Sequence, residues 1–477
     1  MHAPVDRVNA RLAVVLCMLL PWVQPWAPGP LPNTVPLLVS WGALGLLLSL
    51  GRWPAAHELA RAWAWAALLS SVIGLAQYFG QAAWLAGWVH VPASPGEAMG
   101  NLRQRNQLAT LIAMGAVAVL WWHRQGLGRR HALWMMALLA AGSAATGSRT
   151  GLLQWLLLPA LALLWQGRAQ GRAPWSWTLL VWGLCAYLLA LALPQALALT
   201  TGTQIGNAMT RMVEDNGCGS RLLLWANVLQ LIGQQPWSGW GWNELKFAHY
   251  MADYPGARFC DILGNAHNLP LQLGFALGVP AALGLTGGAL VLALRARPWQ
   301  LAQSTDSLAW GVLAMIALHS LLEFPLWYGP FQLACVAAVP MLWRAAGRWL
   351  QQQRPVAQAL GAGLLTMALL IGADYARVRQ IYLPHEQRWS LWQGDPWGAA
   401  RQTLFFGDAL RFAELTSTPV TRENARAMLQ ASQAMLHYSP EPRVIDKLIE
   451  SARLSDRPDL ADWHQARKVR VYGEAAR

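Results

Sequence analysis

The chain has 477 residues, of which 55% are hydrophobic and only 12% charged, and its mean hydropathy is positive. Soluble domains carry about 25% charged residues, so this composition excludes an ordinary soluble enzyme and predicts an all-α, polytopic integral membrane protein. The net charge of +13 does not mark a nucleic-acid binder, because the basic residues are spread along loop ends and form no basic groove with interleaved aromatics.

A run of about 20 apolar residues is enough to cross the hydrocarbon core of a bilayer. In chain order, eleven such runs are predicted, at 10–28, 34–51, 59–79, 106–123, 131–147, 150–166, 177–197, 275–295, 307–323, 328–346 and 356–376. The first is not expected to be a cleavable signal peptide, since no small-residue cleavage pattern follows it and a second apolar run begins at once. Arg7, Arg11, Arg52, Arg61, Arg124, Arg129, Arg130, Arg168, Arg172, Arg295, Arg297, Arg344, Arg348 and Arg354 all fall on one side if the N-terminus is cytoplasmic. An odd number of crossings then carries the C-terminal segment to the other side. Of the 29 tryptophans, Trp121, Trp122 and Trp165 stand at span ends and read as interfacial anchors. Cys17, Cys185 and Cys335 lie within spans and read as inert packing residues.

Three polar regions interrupt this pattern: 80–105, the large loop 198–266, and the tail from 377 onward. The predicted division is therefore a membrane domain, 1–376, and a C-terminal domain, 377–477. In the tail, Asp395-Pro396 and Ser439-Pro440 read as helix starts. Apolar residues recur there at helical spacing, as in Ala409, Phe412 and Ala413, and in Ala427, Ala431, Ala434 and Met435. Helix pairs of that size suggest a short tetratricopeptide-like array, although no consensus repeat is visible. Cys218 and Cys260 both fall in the large loop on the oxidising side. They are expected to form a disulfide that closes it, the alternative being two unrelated free thiols. No C-x-x-C, His-rich spacing or carboxylate pair suited to a metal is present, so no metal or other cofactor is expected.

Insertion bias leaves few cations on the outer side: Arg103, Arg105, Arg149, Arg211, Arg221, Lys246 and Arg258 ahead of the tail. Arg105, Arg149 and Arg221 are the strongest candidates for function, and Arg211 and Arg258 the weakest. Arg149 sits in Thr146-Gly147-Ser148-Arg149-Thr150-Gly151, a minimal turn between two apolar runs, where an ionisable residue either snorkels or serves a function. The guanidinium fork binds phosphate oxygens two at a time and keeps its charge. Several arginines at the membrane boundary therefore suit a lipid-linked phosphate or diphosphate. His267, in Gly264-Asn265-Ala266-His267-Asn268, has a side chain that titrates near neutral pH and is a candidate general base. Asn268 is a candidate for orienting an acceptor or a sugar. His319 and Glu323 are four apart and share a helix face, either as a structural pair or as part of an acceptor site.

These elements, in this order, resemble the bacterial protein-glycosylation ligases (PglL-like O-oligosaccharyltransferases) within the group that also holds O-antigen ligases and polymerases. The likeness is carried by Asn101 through Ala109, with Gln104, Arg105 and Asn106 inside it as candidate substrate-binding residues, and by Ser148-Arg149-Thr150-Gly151. Further on, Arg221 to Trp225 forms an Arg-x-x-x-Trp element followed by Gly239-Trp240-Gly241; His267-Asn268 and the stretch from His319 to Tyr328 complete the set. The resemblance implies transfer of a preassembled glycan from undecaprenyl diphosphate to a hydroxyl of a periplasmic protein, such as a pilin, at the outer face of the inner membrane. It also implies that Arg149 and Arg221 contact diphosphate and that His267 activates the acceptor. The rival readings are an O-antigen ligase acting on lipid A-core, an O-antigen polymerase and, outside enzymes, a lipid-linked glycan transporter. The spans are nearly free of acidic residues, which disfavours transport.

Overall fold

A computed structural model describes residues 3–166, 175–201, 217–345, 348 and 352–473. Arg168, Arg172 and Arg211 lie outside the described residues. The described chain is helical, with no β-strand. It divides into two compact units, one made of Met1–Glu214 with Leu292–Leu370, the other of Asp215–Val291 with Ile371–Arg477.

The first unit contains α1 (Ala3–Val23), α2 (Thr34–Ser49), α3 (Ala56–Tyr78), α4 (Arg105–Arg124), α5 (Arg129–Ala145), α6 (Arg149–Trp165) and α7 (Trp177–Thr201). The second unit opens with α8 (Arg221–Gln234), α9 (Leu245–Met251) and α10 (Leu269–Leu277), and α11 (Val279–Arg295) runs on into the first. The first unit closes with α12 (Ser304–Ser320), α13 (Gly329–Leu342) and the start of α14 (Arg354–Arg379). Each predicted apolar run is largely helical over its described residues. Ala56–Tyr78 and Arg354–Tyr382 are long and apolar enough on their own to cross a membrane; Thr34–Ser49, Arg149–Trp165, Trp177–Leu193, Val279–Arg295 and Gly329–Leu342 are shorter apolar helices.

Helix α4 is buried on every side, from Gln107 through Trp121, as befits a helix apolar all round. It packs against both α3 and α5, and small residues let the backbones approach: a Cβ on Gly115 would come within 2.3 Å of the Ala67 Cβ. Helices α11 and α14 are the opposite case. On α11 only Ala282 is buried, while Leu283, Leu290, Leu360 and Leu369 are more than half exposed. Such apolar faces are what lipid rather than water covers.

Two of the tryptophans read as interfacial anchors are internal instead. Trp121 and Trp165 are buried and donate their indole N–H to the carbonyls of Ser304 and Pro298, at 2.8 and 2.7 Å. Their N–H finds a protein partner inside, so the ring's bulk is spent on packing. Trp122 is half-buried under the Arg61 guanidinium. Cys185 is exposed, whereas Cys17 and Cys335 are half-buried.

The predicted run 275–295 is broken at Gly278, which has φ +83° and joins α10 to α11. A Cβ there would lie 2.2 Å from the Trp237 carbonyl, so only glycine permits the bend.

The second unit ends in α15 (Pro396–Arg401), α16 (Gly407–Ser417), α17 (Ala425–Tyr438), α18 (Pro442–Leu454) and α19 (Pro458–Tyr472). Asp395 caps α15 through the Gly398 amide at 2.8 Å, as predicted. Ser439, by contrast, ends α17; α18 begins three residues on, with Pro442 in its first turn. The buried face of α17 is Ala425, Met428, Ser432, Met435 and Leu436. The expected stripe through Ala427, Ala431 and Ala434 is exposed, because the larger side chains claim the core and alanine is tolerated outside. Tyr250 of α9 shares this core with Phe412, Leu448 and Ile449, so the large loop and the tail form one body.

Candidate functional site

Arg105, Arg149 and Arg221 each occupy the first position of a helix, behind the capping side chains of Gln104, Ser148 and Ser220. Those side chains accept from the amides of Gln107 (2.7 Å), Gly151 (3.0 Å) and Leu223 (3.2 Å). A cation at the positive end of a helix is unfavourable by about 0.3–1 kcal/mol, and an anion there is favoured by as much. Three candidate arginines placed this way make sense if each meets an anion. Arg149 is exposed and has no hydrogen-bond or ion-pair partner among the described residues. Gln104 commits its side-chain oxygen to capping, so the oxygen expected to contact substrate is engaged with the Gln107 amide.

Inside the first unit, a buried polar network ties α4, α6 and α12 together close to Arg105 and Arg149. Asn106 donates to the Glu323 carboxylate at 3.0 Å and accepts from the Ser148 hydroxyl at 2.7 Å. Thr110 pairs with His319 Nδ1 at 2.9 Å and accepts from Gln154 at 2.8 Å. His319 and Glu323 are 1% and 4% exposed. They are not two residues on one helix face: α12 ends at Ser320, Glu323 lies beyond it, and each side chain serves a different partner on α4. Asn101 is similarly internal. It bridges Val23, Trp88 and His90, which makes it a pin for the 80–105 segment.

The second unit builds the His267 turn. His267 adopts φ +50°, a left-handed conformation that costs a side chain about 1–2 kcal/mol. Its amide donates to Asn265 Oδ1 at 2.9 Å. The preceding residue, Ala266, is gripped at both backbone groups. Its carbonyl accepts from the Trp225 indole at 3.1 Å, and its amide donates to Gln272 Oε1 at 2.8 Å. Asn268 then caps α10 through the Leu271 amide at 3.1 Å. Trp225 lies one turn along from Arg221 on α8, so this bond fastens the helix that begins at Arg221 to the His267 turn. Sequence reasoning missed Asn265 and Gln272 entirely. The one available signal was a polar pair flanking His267 in an otherwise apolar stretch.

The Gly239-Trp240-Gly241 element braces the other end of α10. The Trp240 and Gly241 amides donate to the carbonyls of Phe275 and Ala276, at 2.8 and 3.1 Å, and the Trp240 ring lies parallel to Phe275. Gly239 has φ +70°, and a Cβ on it would meet the Ala276 carbonyl carbon at 2.5 Å.

Cys218 and Cys260 are joined in a disulfide, 42 residues apart in sequence. The segment before Cys260 is clamped by α19. Asp253 accepts from Arg467 at 2.9 Å and from Arg470 at 2.7 Å, and Arg467 also donates to the Ala252 carbonyl. Arg258 donates to the carbonyls of Ala252 and His249, which gives it a structural task. Burial, and then the nearby Arg258 charge, lower the His249 pKa to about 4; burial and Arg467 do the same for His464. Among the described residues no three His, Cys, Asp or Glu side chains gather where they could hold a metal ion.

Arg105, Arg149, Asn106, His319 and Glu323 thus belong to the first unit, and Arg221, His267, Asn268 and the disulfide to the second. Three families match successive parts of the chain: protein glycosylation ligase over residues 98–123, O-antigen ligase over 134–286, and the C-terminal part of virulence factor membrane-bound polymerase over 307–477. A general O-oligosaccharyltransferase of Acinetobacter baylyi is 26% identical over 282 residues, which is 56% of this chain. The matched stretch is 47% of that relative, so the chain aligns with about half its length. Over these stretches the chain is similar to protein glycosylation ligases and to the O-antigen ligases and polymerases.

Proposed function

We propose that this protein transfers a preassembled oligosaccharide from undecaprenyl diphosphate to Ser or Thr hydroxyls of a periplasmic protein such as a pilin. Its eleven apolar runs cross the bacterial inner membrane from a cytoplasmic N-terminus, and the working face, with the helical C-terminal domain 377–477, is periplasmic. His267 takes the proton of the acceptor hydroxyl as that oxygen attacks the anomeric carbon of the glycan. The bond from that carbon to the diphosphate breaks, and its electron pair leaves with the diphosphate. Arg105, Arg149 and Arg221, each at a helix N-terminus, hold the developing negative charge. Asn268 orients the acceptor or the sugar. His319, Glu323 and Asn106 hold α4, α6 and α12 in register close to Arg105 and Arg149, and Gln104 sets the start of α4.

The observation that carries this reading is the His267 turn, held left-handed and bonded to the helix that opens with Arg221. The same chemistry serves an O-antigen ligase, whose family matches residues 134–286 and whose acceptor is a sugar. Intact-mass measurement of periplasmic proteins with and without this gene separates the two. Loss of a glycan mass from a protein, with lipopolysaccharide unchanged, supports protein transfer; unchanged protein masses with truncated lipopolysaccharide overturn it.

A further inference from the structure

We propose that Trp225, Gln272 and Asn265 form a positioning clamp that holds His267 in its reactive geometry, an inference that rests on His267 being the base. A residue other than glycine is rarely left-handed, and it stays so only where its surroundings over-determine it. Here three side chains from three places do this. The Trp225 indole takes the Ala266 carbonyl, the Gln272 carboxamide takes the Ala266 amide, and the Asn265 carboxamide takes the His267 amide. Gln272 and Asn265 are 5% and 7% exposed, so water cannot readily replace them. Each bond fixes a backbone group within one residue of the imidazole, and none uses the imidazole itself. The clamp also explains the Arg-x-x-x-Trp spacing. One helical turn separates the residue that meets the anion from the residue that holds the base, so a single helix sets both.

The test compares Trp225→Phe, Gln272→Met and Gln272→Glu with wild type and His267→Ala, using purified full-length protein, a polyprenyl-diphosphate-linked oligosaccharide and an acceptor polypeptide. Trp225→Phe deletes one N–H and keeps the aromatic bulk; Gln272→Glu keeps the accepting oxygen, and Gln272→Met removes it. We expect kcat to fall about 10- to 100-fold in Trp225→Phe and Gln272→Met, with KM for both substrates within about twofold. Gln272→Glu should recover most of the loss. Wild-type kcat in the clamp variants, with His267→Ala inactive, overturns the clamp while leaving the base intact. A fully active His267→Ala overturns the reading beneath it. A fall in kcat accompanied by loss of folded protein, read by melting in detergent, shows a purely structural role and also overturns the clamp.

Discussion

His267 and Arg149 stand out in the sequence because each sits in a polar break between long apolar runs. Their supports were less visible. Trp225 meets Ala266 across 41 residues, and Gln272 reaches back from the first turns of α10, so both contacts exist only once the backbone has turned at His267. If the assigned roles hold, His267→Ala abolishes transfer while the protein still inserts and folds, as read by product mass and by melting in detergent. Arg149→Lys keeps the charge but loses the two-pronged fork. Transfer should fall at least about tenfold, and near-wild-type rates would show that a point charge suffices. Ser148→Ala removes both the cap of α6 and a partner of Asn106. It should lower the stability of the first unit by about 1–3 kcal/mol, measured by thermal unfolding in detergent.

At the scale of elements, the helices were legible from apolar runs, whereas their faces and interruptions were not always so. Trp121 and Trp165 look like lipid-interface anchors because they sit at helix ends, yet neighbouring carbonyls draw them inward. The break at Gly278 has no local signal beyond a glycine; its cause is the close approach of Trp237. The α17 stripe was misplaced because alanine carries little information about burial. Closing 42 residues of loop, the Cys218–Cys260 bond is worth about 4 kcal/mol in the chain-entropy estimate. Reduction, or replacement of both cysteines by serine, should therefore lower the melting point of the second unit clearly; no change would show that the loop is held without it. The buried imidazoles add a pH dependence. His249 and His464 titrate near pH 4 when folded and near 6.5 when unfolded. The unfolded chain thus takes up protons first as pH falls, and the second unit loses stability from about pH 6.5 down to about 4. His249→Asn should flatten that slope, and a variant with the wild-type slope would assign the effect elsewhere.

Across the whole molecule, composition alone separated this chain from soluble enzymes, and the alternation of arginine-rich and arginine-poor loops suggested which side each segment faces. The packing of the tail against the large loop was not legible, because it depends on Tyr250 meeting His464 and Asp253 meeting Arg467, each across 214 residues. Its consequence is that the tail steadies the loop that carries His267: Arg467→Ala should destabilise the second unit and slow transfer together. The most direct measurement reconstitutes the purified protein in liposomes with an undecaprenyl-diphosphate-linked oligosaccharide and an acceptor polypeptide, and reads the acceptor's intact mass over time for wild type and His267→Ala. The expected result is a glycan-sized mass gain on the acceptor with wild type and none with His267→Ala. Equal gain with both proteins, or no gain with wild type while glycan appears on a lipid-linked sugar acceptor, would contradict it.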